Sequence, residues 1–79
     1  MQSLQVYSRQ GCHLCELLIE ELLPMVRGRL ELEIHDIDTR PDWRARYDCR
    51  VPVLEYRGAL ISEYPLDRDA VSKLLDSLP

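Results

Sequence analysis

The 79-residue sequence predicts an α/β domain in which a mixed four-stranded sheet is flanked by helices. Segments with the two-residue alternation of strands take turns with segments of helical period, in the order β-α-β-α-β-β-α. The first three elements have the order of a parallel βαβ unit, and a hairpin followed by a helix closes the chain. Because a chain of this length holds one core, residues 1–79 are assigned to a single domain.

The first strand and the first helix meet at a pair of cysteines. The strand's inward-facing set alternates with Gln5 and Tyr7 and consists of Leu4, Val6 and Ser8. After the turn at residues 9–11, apolar residues recur at helical spacing: Leu14, Leu18, Leu22, Met25 and Val26. Pro24 predicts that this helix ends or kinks near Leu23, and Gly28 is suited to a left-handed cap.

The next pair of elements is shorter. Three apolar residues alternate with charged ones and predict a half-buried strand at the edge of the sheet: Leu30, Leu32 and Ile34. Proline is well suited to the first position of a helix, so Pro41 predicts a short helix that ends at Tyr47. Asp38 or Thr39 is expected to cap it from outside.

The last third of the sequence predicts a hairpin and a helix. Residues 53–56 and 59–62 read as antiparallel strands joined by Arg57-Gly58, where glycine adopts a positive φ without strain. Asp67 is placed to cap the final helix. The apolar face of that helix consists of Leu66, Ala70, Val71, Leu74, Leu75 and Leu78.

Charge and hydropathy exclude several classes of function. Ten Lys and Arg against fourteen Asp and Glu give a net charge of −4, so the basic surface of a nucleic-acid-binding protein is missing. The longest apolar stretches fall well short of the roughly 18 residues of a membrane span, and the N-terminus lacks a signal-peptide pattern. We therefore expect a soluble, cytoplasmic monomer whose partners include neither nucleic acid nor membrane.

The three cysteines carry the strongest functional signal. A C-x-x-C pair, Cys12 and Cys15, in a reducing compartment indicates metal or redox chemistry. Cys12 lies at the predicted helix N-terminus, where free N–H groups and the helix dipole lower the pKa of a thiol. Cys15 lies one turn deeper, so Cys12 is assigned as the catalytic nucleophile and Cys15 as the catalytic resolving thiol. Cys49 is expected to be a buried apolar residue rather than a third redox group.

Two charged residues flank this pair. Arg9 could place a positive charge beside the thiolate or bind a substrate carboxylate, and it could equally be a solvated loop residue. His13 could stabilise the thiolate when protonated, or it could point into solvent. A run of arginines near Pro52 forms either a basic rim or a solvated face: Arg40, Arg44, Arg46 and Arg50.

The segment Arg9-Gln10-Gly11-Cys12-His13-Leu14-Cys15, together with Val51-Pro52 and the element order, resembles the glutaredoxin branch of the thioredoxin superfamily. The resemblance is to small glutaredoxin-like proteins with a Cys-His-Leu-Cys motif. It implies a thioredoxin/glutaredoxin-like fold with Pro52 as a cis proline facing the cysteines, and with the Val51 backbone offered to an extended substrate. The substrate-binding candidates are therefore Arg9, His13, Val51 and Pro52.

The sequence departs from the glutaredoxin pattern at the expected glutathione site. Glutaredoxins carry a diglycine that helps to hold glutathione, whereas this sequence reads Ile61-Ser62-Glu63-Tyr64-Pro65. Glu63 would add a negative charge where a carboxylate should dock. No bound cofactor is expected, and glutathione is retained as a reductant or a weak ligand.

These observations favour a thiol-disulfide oxidoreductase that reduces protein or low-molecular-weight disulfides. Its partners would be a disulfide-containing protein or small thiol, and a thiol reductant of the glutathione or thioredoxin reductase type. Two alternatives stay open. One is a module that binds an iron-sulfur cluster or another metal, and the other is a non-catalytic module that binds a partner through the Val51-Pro52 groove.

Overall fold

The computed structural model describes residues 2–79 as a four-stranded sheet with three helices. The strands are β1 (Ser3–Ser8), β2 (Glu31–Asp36), β3 (Val53–Tyr56) and β4 (Ala59–Ser62). The helices are α1 (His13–Val26), α2 (Pro41–Tyr47) and α3 (Arg68–Ser77), and a short 3-10 helix spans Ile37–Thr39. This is the β-α-β-α-β-β-α order that the sequence predicts.

The sheet is mixed, and its strands lie in the order β2-β1-β3-β4. β1 and β2 are parallel, with Ser8 opposite Asp36. β3 runs antiparallel to β1, with Tyr7 opposite Val53, and it pairs antiparallel with β4. The parallel pair is joined by α1, while the β3–β4 pair is a hairpin whose turn places both Arg57 and Gly58 at positive φ.

Each face of the sheet carries its own group of packed side chains. The aliphatic cluster lies between the sheet, α1 and α3, and its buried members are Leu4, Val6, Leu18, Leu22, Val26, Leu30, Leu54, Leu66, Val71 and Leu75. The aromatic cluster lies on the opposite face, beneath α2 and the 3-10 helix, and comprises Ile37, Tyr47 and Val53 with Tyr7, Trp43 and Val51. Successive strand residues point to opposite faces, so β1 supplies both clusters.

Of the two outcomes predicted from Pro24, an end of α1 near Leu23 is wrong, because the helix continues through Pro24 to Val26. Proline removes one N–H and its hydrogen bond. Leu22 and Val26 are nevertheless fully buried on either side of it, and their burial stabilises the last turn. Gly28 has a φ of +80°, as expected for the residue that ends the helix.

The edge position of β2 is confirmed, but its predicted apolar face is incomplete. Leu30 is buried just before the strand, whereas Ile34 is 54% exposed. An edge strand has a neighbouring strand on one side only, so an alternating pattern does not guarantee burial.

The predicted cap of α2 by Asp38 or Thr39 is also wrong. Arg40 is the N-cap residue and makes no side-chain capping hydrogen bond. Asp38 and Thr39 lie within the 3-10 helix, where the Thr39 hydroxyl donates to the Asp36 carbonyl at 2.7 Å. The intervening 3-10 turn therefore removes both side chains from the capping position.

The final helix begins as the sequence predicts. The Asp67 carboxylate accepts a hydrogen bond from the Ala70 N–H at 3.0 Å, and Val71 and Leu75 face the aliphatic cluster. Across residues 2–79, none of the helices has the length and apolarity needed to cross a bilayer.

Candidate active site

The strand register brings four loop segments to one end of the sheet. β1, β2 and β4 all end there, while β3 begins there. The segments at these strand ends are residues 9–15, 36–39, 48–52 and 63–65, of which Asp36 is the last residue of β2. We call this end of the sheet the sulfur end, because it carries all three cysteines.

Cys12 and Cys15 form a disulfide at the start of α1, with their Cα atoms 5.2 Å apart. Cys12 is the N-cap residue, and its Sγ accepts a hydrogen bond from the Cys15 backbone N–H at 3.2 Å. The Cys12 N–H donates to the Arg9 carbonyl at 3.2 Å, while Gly11 turns the chain with a φ of +75°. This turn places the Cys12 sulfur at the positive end of the helix dipole.

The two sulfurs have different access to solvent. Cys15 is 2% exposed and lies in the first turn of α1, whereas Cys12 is partly exposed. An incoming disulfide can therefore reach Cys12 more readily than Cys15. Exposure and the N-cap hydrogen bond single out the same cysteine.

Arg9 is held by two carboxylates that the sequence analysis did not connect with it. Its guanidinium donates to both Asp38 oxygens, at 3.0 and 3.1 Å, and to the Asp48 carboxylate at 2.7 Å. A further hydrogen bond reaches the Asp48 carbonyl at 3.4 Å. The hydrogen bonds that Arg9 donates to Asp38, and then to Asp48, raise the pKa of Arg9 above its ordinary value. Arg9 therefore joins the segment before Cys12 to the segment before Val51.

His13 lies on the exposed side of α1. Its side chain is 78% exposed, and its Nδ1 lies 3.7 Å from the Glu16 carboxylate. Glu16 is the acidic residue in the first turn of α1. The nearest charged partner of His13 in the described chain is thus a carboxylate on its own helix.

Val51 and Pro52 directly precede β3 at the sulfur end. The Val51-Pro52 peptide bond is cis, Pro52 is buried, and Val51 packs against the aromatic cluster. Neither residue has a partner in the strand register. The register thus puts both residues at the end of the sheet that carries Cys12.

Cys49 is exposed, so the expectation of a buried thiol is wrong. It lies in the turn that follows α2, where the backbone leaves the aromatic cluster after the buried Tyr47. Beside it, Arg50 pairs with Glu63 at 3.4 Å. The negative charge of Glu63 is thus paired with Arg50, which lies at the same end of the sheet.

The remaining arginines of this region lie at the N-cap of α2 and within the helix. Arg40 pairs with Asp42 at 3.0 Å and lies over the Trp43 ring, while Arg46 lies near the Tyr47 ring. Within residues 2–79, no group of three or more Cys, His, Asp or Glu is arranged to hold a metal ion.

Comparison with known proteins gives both a family and a fold. A model of the Glutaredoxin-like domain (DUF836) family matches residues 3–76. The X-ray structure of Northeast Structural Genomics target protein XcR50 from X. campestris is 30% identical, with a TM-score of 0.72 over 98% of this chain and 100% of that chain. A malarial protein is 15% identical, with a TM-score of 0.56 over 90% of this chain and 92% of its own, which shows the fold alone.

None of the curated proteins compared with the chain matches it. The family model spans nearly all of the sequence, including Cys12, Cys15 and Pro52, and the structural neighbours share the thioredoxin-like fold. The chain therefore belongs to the glutaredoxin-like domain family.

Proposed function

We propose that this protein is a thiol-disulfide oxidoreductase in which Cys12 attacks a substrate disulfide and Cys15 resolves the product. One observation carries the proposal: the partly exposed Cys12 sulfur accepts the Cys15 N–H at the N-terminus of α1, within bonding reach of the buried Cys15 sulfur. A hydrogen bond to sulfur and the positive end of a helix both stabilise a thiolate, the form that attacks disulfides.

The reaction proceeds in two exchanges. The Cys12 thiolate attacks one sulfur of the substrate, forms a mixed disulfide, and releases the other sulfur as a thiolate that takes up a proton. The Cys15 thiolate then attacks the Cys12 sulfur, and the second substrate sulfur leaves in the same way. Two electrons pass from the cysteine pair to the substrate, and the Cys12–Cys15 disulfide is the product.

Val51 is the proposed backbone contact for the substrate. It precedes β3 and stays outside the strand register, so its peptide groups can pair with an extended segment next to a disulfide. Pro52 has no backbone N–H, so it donates no hydrogen bond to the substrate. For a further turnover, the Cys12–Cys15 disulfide must be reduced by an external thiol donor of the glutathione or thioredoxin reductase type.

The first test is the redox midpoint of the cysteine pair. The protein is equilibrated in thiol and disulfide buffers, alkylated, and its free thiols counted by intact mass. We expect one two-thiol step between about −120 and −270 mV, with Cys49 still free. Failure to form the internal disulfide at any poise would overturn the proposal.

The second test separates the roles of the cysteines. Cys12→Ser should lower the rate of disulfide reduction by roughly a hundredfold or more, because the attacking thiolate is lost. Cys15→Ser should accumulate a mixed disulfide at Cys12, visible as added mass. Cys49→Ser is the matched control, since this exposed thiol lies outside α1, and it should keep the activity of the unmodified protein. Full turnover in both Cys12→Ser and Cys15→Ser would contradict the mechanism.

A further inference from the structure

The charges at the sulfur end indicate which disulfides the site accepts. The four segments that meet there contain two permanent cations, Arg9 and Arg50, and four carboxylates: Asp36, Asp38, Asp48 and Glu63. With His13 neutral, these segments carry a net charge of −2. The end of the molecule that presents Cys12 is thus acidic.

Each cation at this end already has a carboxylate partner. Arg9 is held by Asp38 and Asp48 at 3.0 and 2.7 Å, and Arg50 by Glu63 at 3.4 Å. His13 faces Glu16 at 3.7 Å. A substrate carboxylate that approached Arg9 would have to compete with Asp38 and with Asp48, which accepts from the guanidinium both through its side chain and through its carbonyl.

The same segments also offer exposed apolar side chains. Leu14, between the two cysteines, is 44% exposed, and Tyr64, after β4, is 40% exposed. Such side chains can contact an uncharged or aliphatic group without a counter-ion.

We infer that the site prefers disulfides flanked by uncharged or basic groups over those flanked by carboxylates, an inference that rests on the proposed function. Asp48 is a specificity-determining residue, because its carboxylate and that of Asp38 occupy Arg9 from within the chain, and Asp48 makes the shorter contact. Replacing Asp48 by asparagine removes one negative charge and leaves part of the Arg9 guanidinium free for an anionic substrate.

Three small disulfides of different charge test this preference: cystamine is cationic, 2-hydroxyethyl disulfide is neutral, and oxidised glutathione is anionic. Each is mixed with the fully reduced protein, and formation of the Cys12–Cys15 disulfide is timed by acid quench and intact mass. Each rate is divided by the rate of the same disulfide with dithiothreitol, which removes differences in intrinsic reactivity. No other reductant is needed, because the protein supplies both electrons.

The normalised rate at low ionic strength should fall from cystamine to the neutral disulfide to oxidised glutathione. Raising the ionic strength from about 0.01 to 0.15 M should accelerate the anionic substrate and slow the cationic one, because the screening length shrinks from about 30 to 8 Å. Normalised rates that rank in the opposite order, or that respond to salt in the same direction, would overturn the inference.

Asp48→Asn should raise the ratio of the oxidised glutathione rate to the cystamine rate by about three- to tenfold at low ionic strength. Asp42→Asn is the matched control, because it also removes one carboxylate from an exposed Arg–Asp pair but leaves Arg9 and its partners intact. That ratio should change less than about twofold in the control. Equal shifts in the two variants would mean that net charge alone acts, and the role of Asp48 would be refuted.

Two further measurements keep the outcomes distinct. Circular dichroism and urea unfolding test whether Asp48→Asn is folded. If the variant is unfolded, the salt response of the unmodified protein decides whether the preference exists. If the reduced protein reacts with none of the three disulfides, the proposed function itself fails. If it reacts with the neutral disulfide but favours oxidised glutathione, only the preference fails.

A pair of peptides identifies the source of the disulfide. Each peptide contains one disulfide, flanked by lysines in one and by glutamates in the other. A faster normalised rate for the lysine peptide than for cystamine supports a protein substrate, and equal rates support a small cationic one. A faster rate for the glutamate peptide would overturn the preference.

Discussion

The aliphatic and aromatic clusters lie on opposite faces of one sheet, yet they are built differently. The aliphatic cluster joins the sheet to α1 and α3 through ten buried apolar residues. The aromatic cluster is smaller, and its rings carry polar atoms: Tyr7 stacks on Tyr47 at 4.2 Å, and the Tyr47 hydroxyl donates to Glu55 at 2.8 Å. The stability of the aliphatic cluster therefore comes from the burial of apolar side chains, whereas that of the aromatic cluster also requires hydrogen-bond partners for its polar atoms.

The difference bears on the candidate active site. Ile37, Val51 and Val53 belong to the aromatic cluster. They lie within or directly after the two segments that carry Asp38, Asp48 and Pro52. The aliphatic cluster instead supports the first turns of α1 from beneath, through Leu18. We expect the aliphatic cluster to set the global stability and the aromatic cluster to set the placement of the substrate-facing segments.

The largest effect should come from Leu22→Ala in the aliphatic cluster. Leu22 is fully buried, so its truncation should lower the free energy of unfolding by about 2 to 5 kcal/mol, through lost burial and the cavity left behind. Leu23→Ala is the matched control on the same helix, because Leu23 is 40% exposed, and it should cost less than about 1 kcal/mol. Urea unfolding followed by circular dichroism measures both. Similar losses in the two variants would contradict the assignment of Leu22 to the core.

The next effect concerns the polar atom of the aromatic cluster and depends on pH. Burial raises the pKa of Tyr47 to about 12, and the hydrogen bond to Glu55 adds to the shift while Arg46 opposes it. The folded state thus holds the phenolic proton more tightly than the unfolded state, whose tyrosines titrate near about pH 10. The resulting stabilisation is complete below about pH 10 and is lost as the pH rises through about 12.

Tyr47→Phe removes this dependence. Between about pH 10 and 12 the unmodified protein should lose on the order of 2 to 3 kcal/mol of unfolding free energy relative to Tyr47→Phe. Urea unfolding at several pH values measures the difference, and Tyr64→Phe controls for the removal of a phenol at the surface. Parallel pH profiles for the unmodified protein and Tyr47→Phe would show that the buried hydroxyl does not hold its proton in this way.

The aliphatic side of the molecule was largely predictable from the sequence, because its residues recur at regular local spacing. The periodicity of α1 and α3 and the alternation in β1 identify most of its members. Pro24 misled the prediction because the cost of one missing hydrogen bond is local, whereas the burial of Val26 depends on the whole fold. The position of Cys12 at a helix N-terminus was predictable for the same local reason.

The charged network of the sulfur end was not predictable in this way. Arg9 is separated from Asp38 by 29 residues and from Asp48 by 39, so no spacing rule connects them. Their meeting follows from the order β2-β1-β3-β4, which brings the ends of distant segments together. The exposure of Cys49 has the same origin, because it depends on how the chain leaves α2 rather than on the residue type.

The smallest expected effect is the loss of a capping hydrogen bond on the aliphatic side of the molecule. It can be compared with the loss of apolar burial in Leu22→Ala. Asp67 accepts the Ala70 N–H at the start of α3, so Asp67→Ala should lower the free energy of unfolding by about 1 kcal/mol, well below the loss in Leu22→Ala. Asp69→Ala is the matched control, because Asp69 is an acidic residue in the first turn of α3 but is not its N-cap. Asp69→Ala should lower the free energy of unfolding less than Asp67→Ala does, since only the interaction with the helix dipole is lost.

Urea unfolding measures both variants. An Asp69→Ala loss equal to that of Asp67→Ala would assign the stabilisation to charge near the helix end rather than to the capping hydrogen bond.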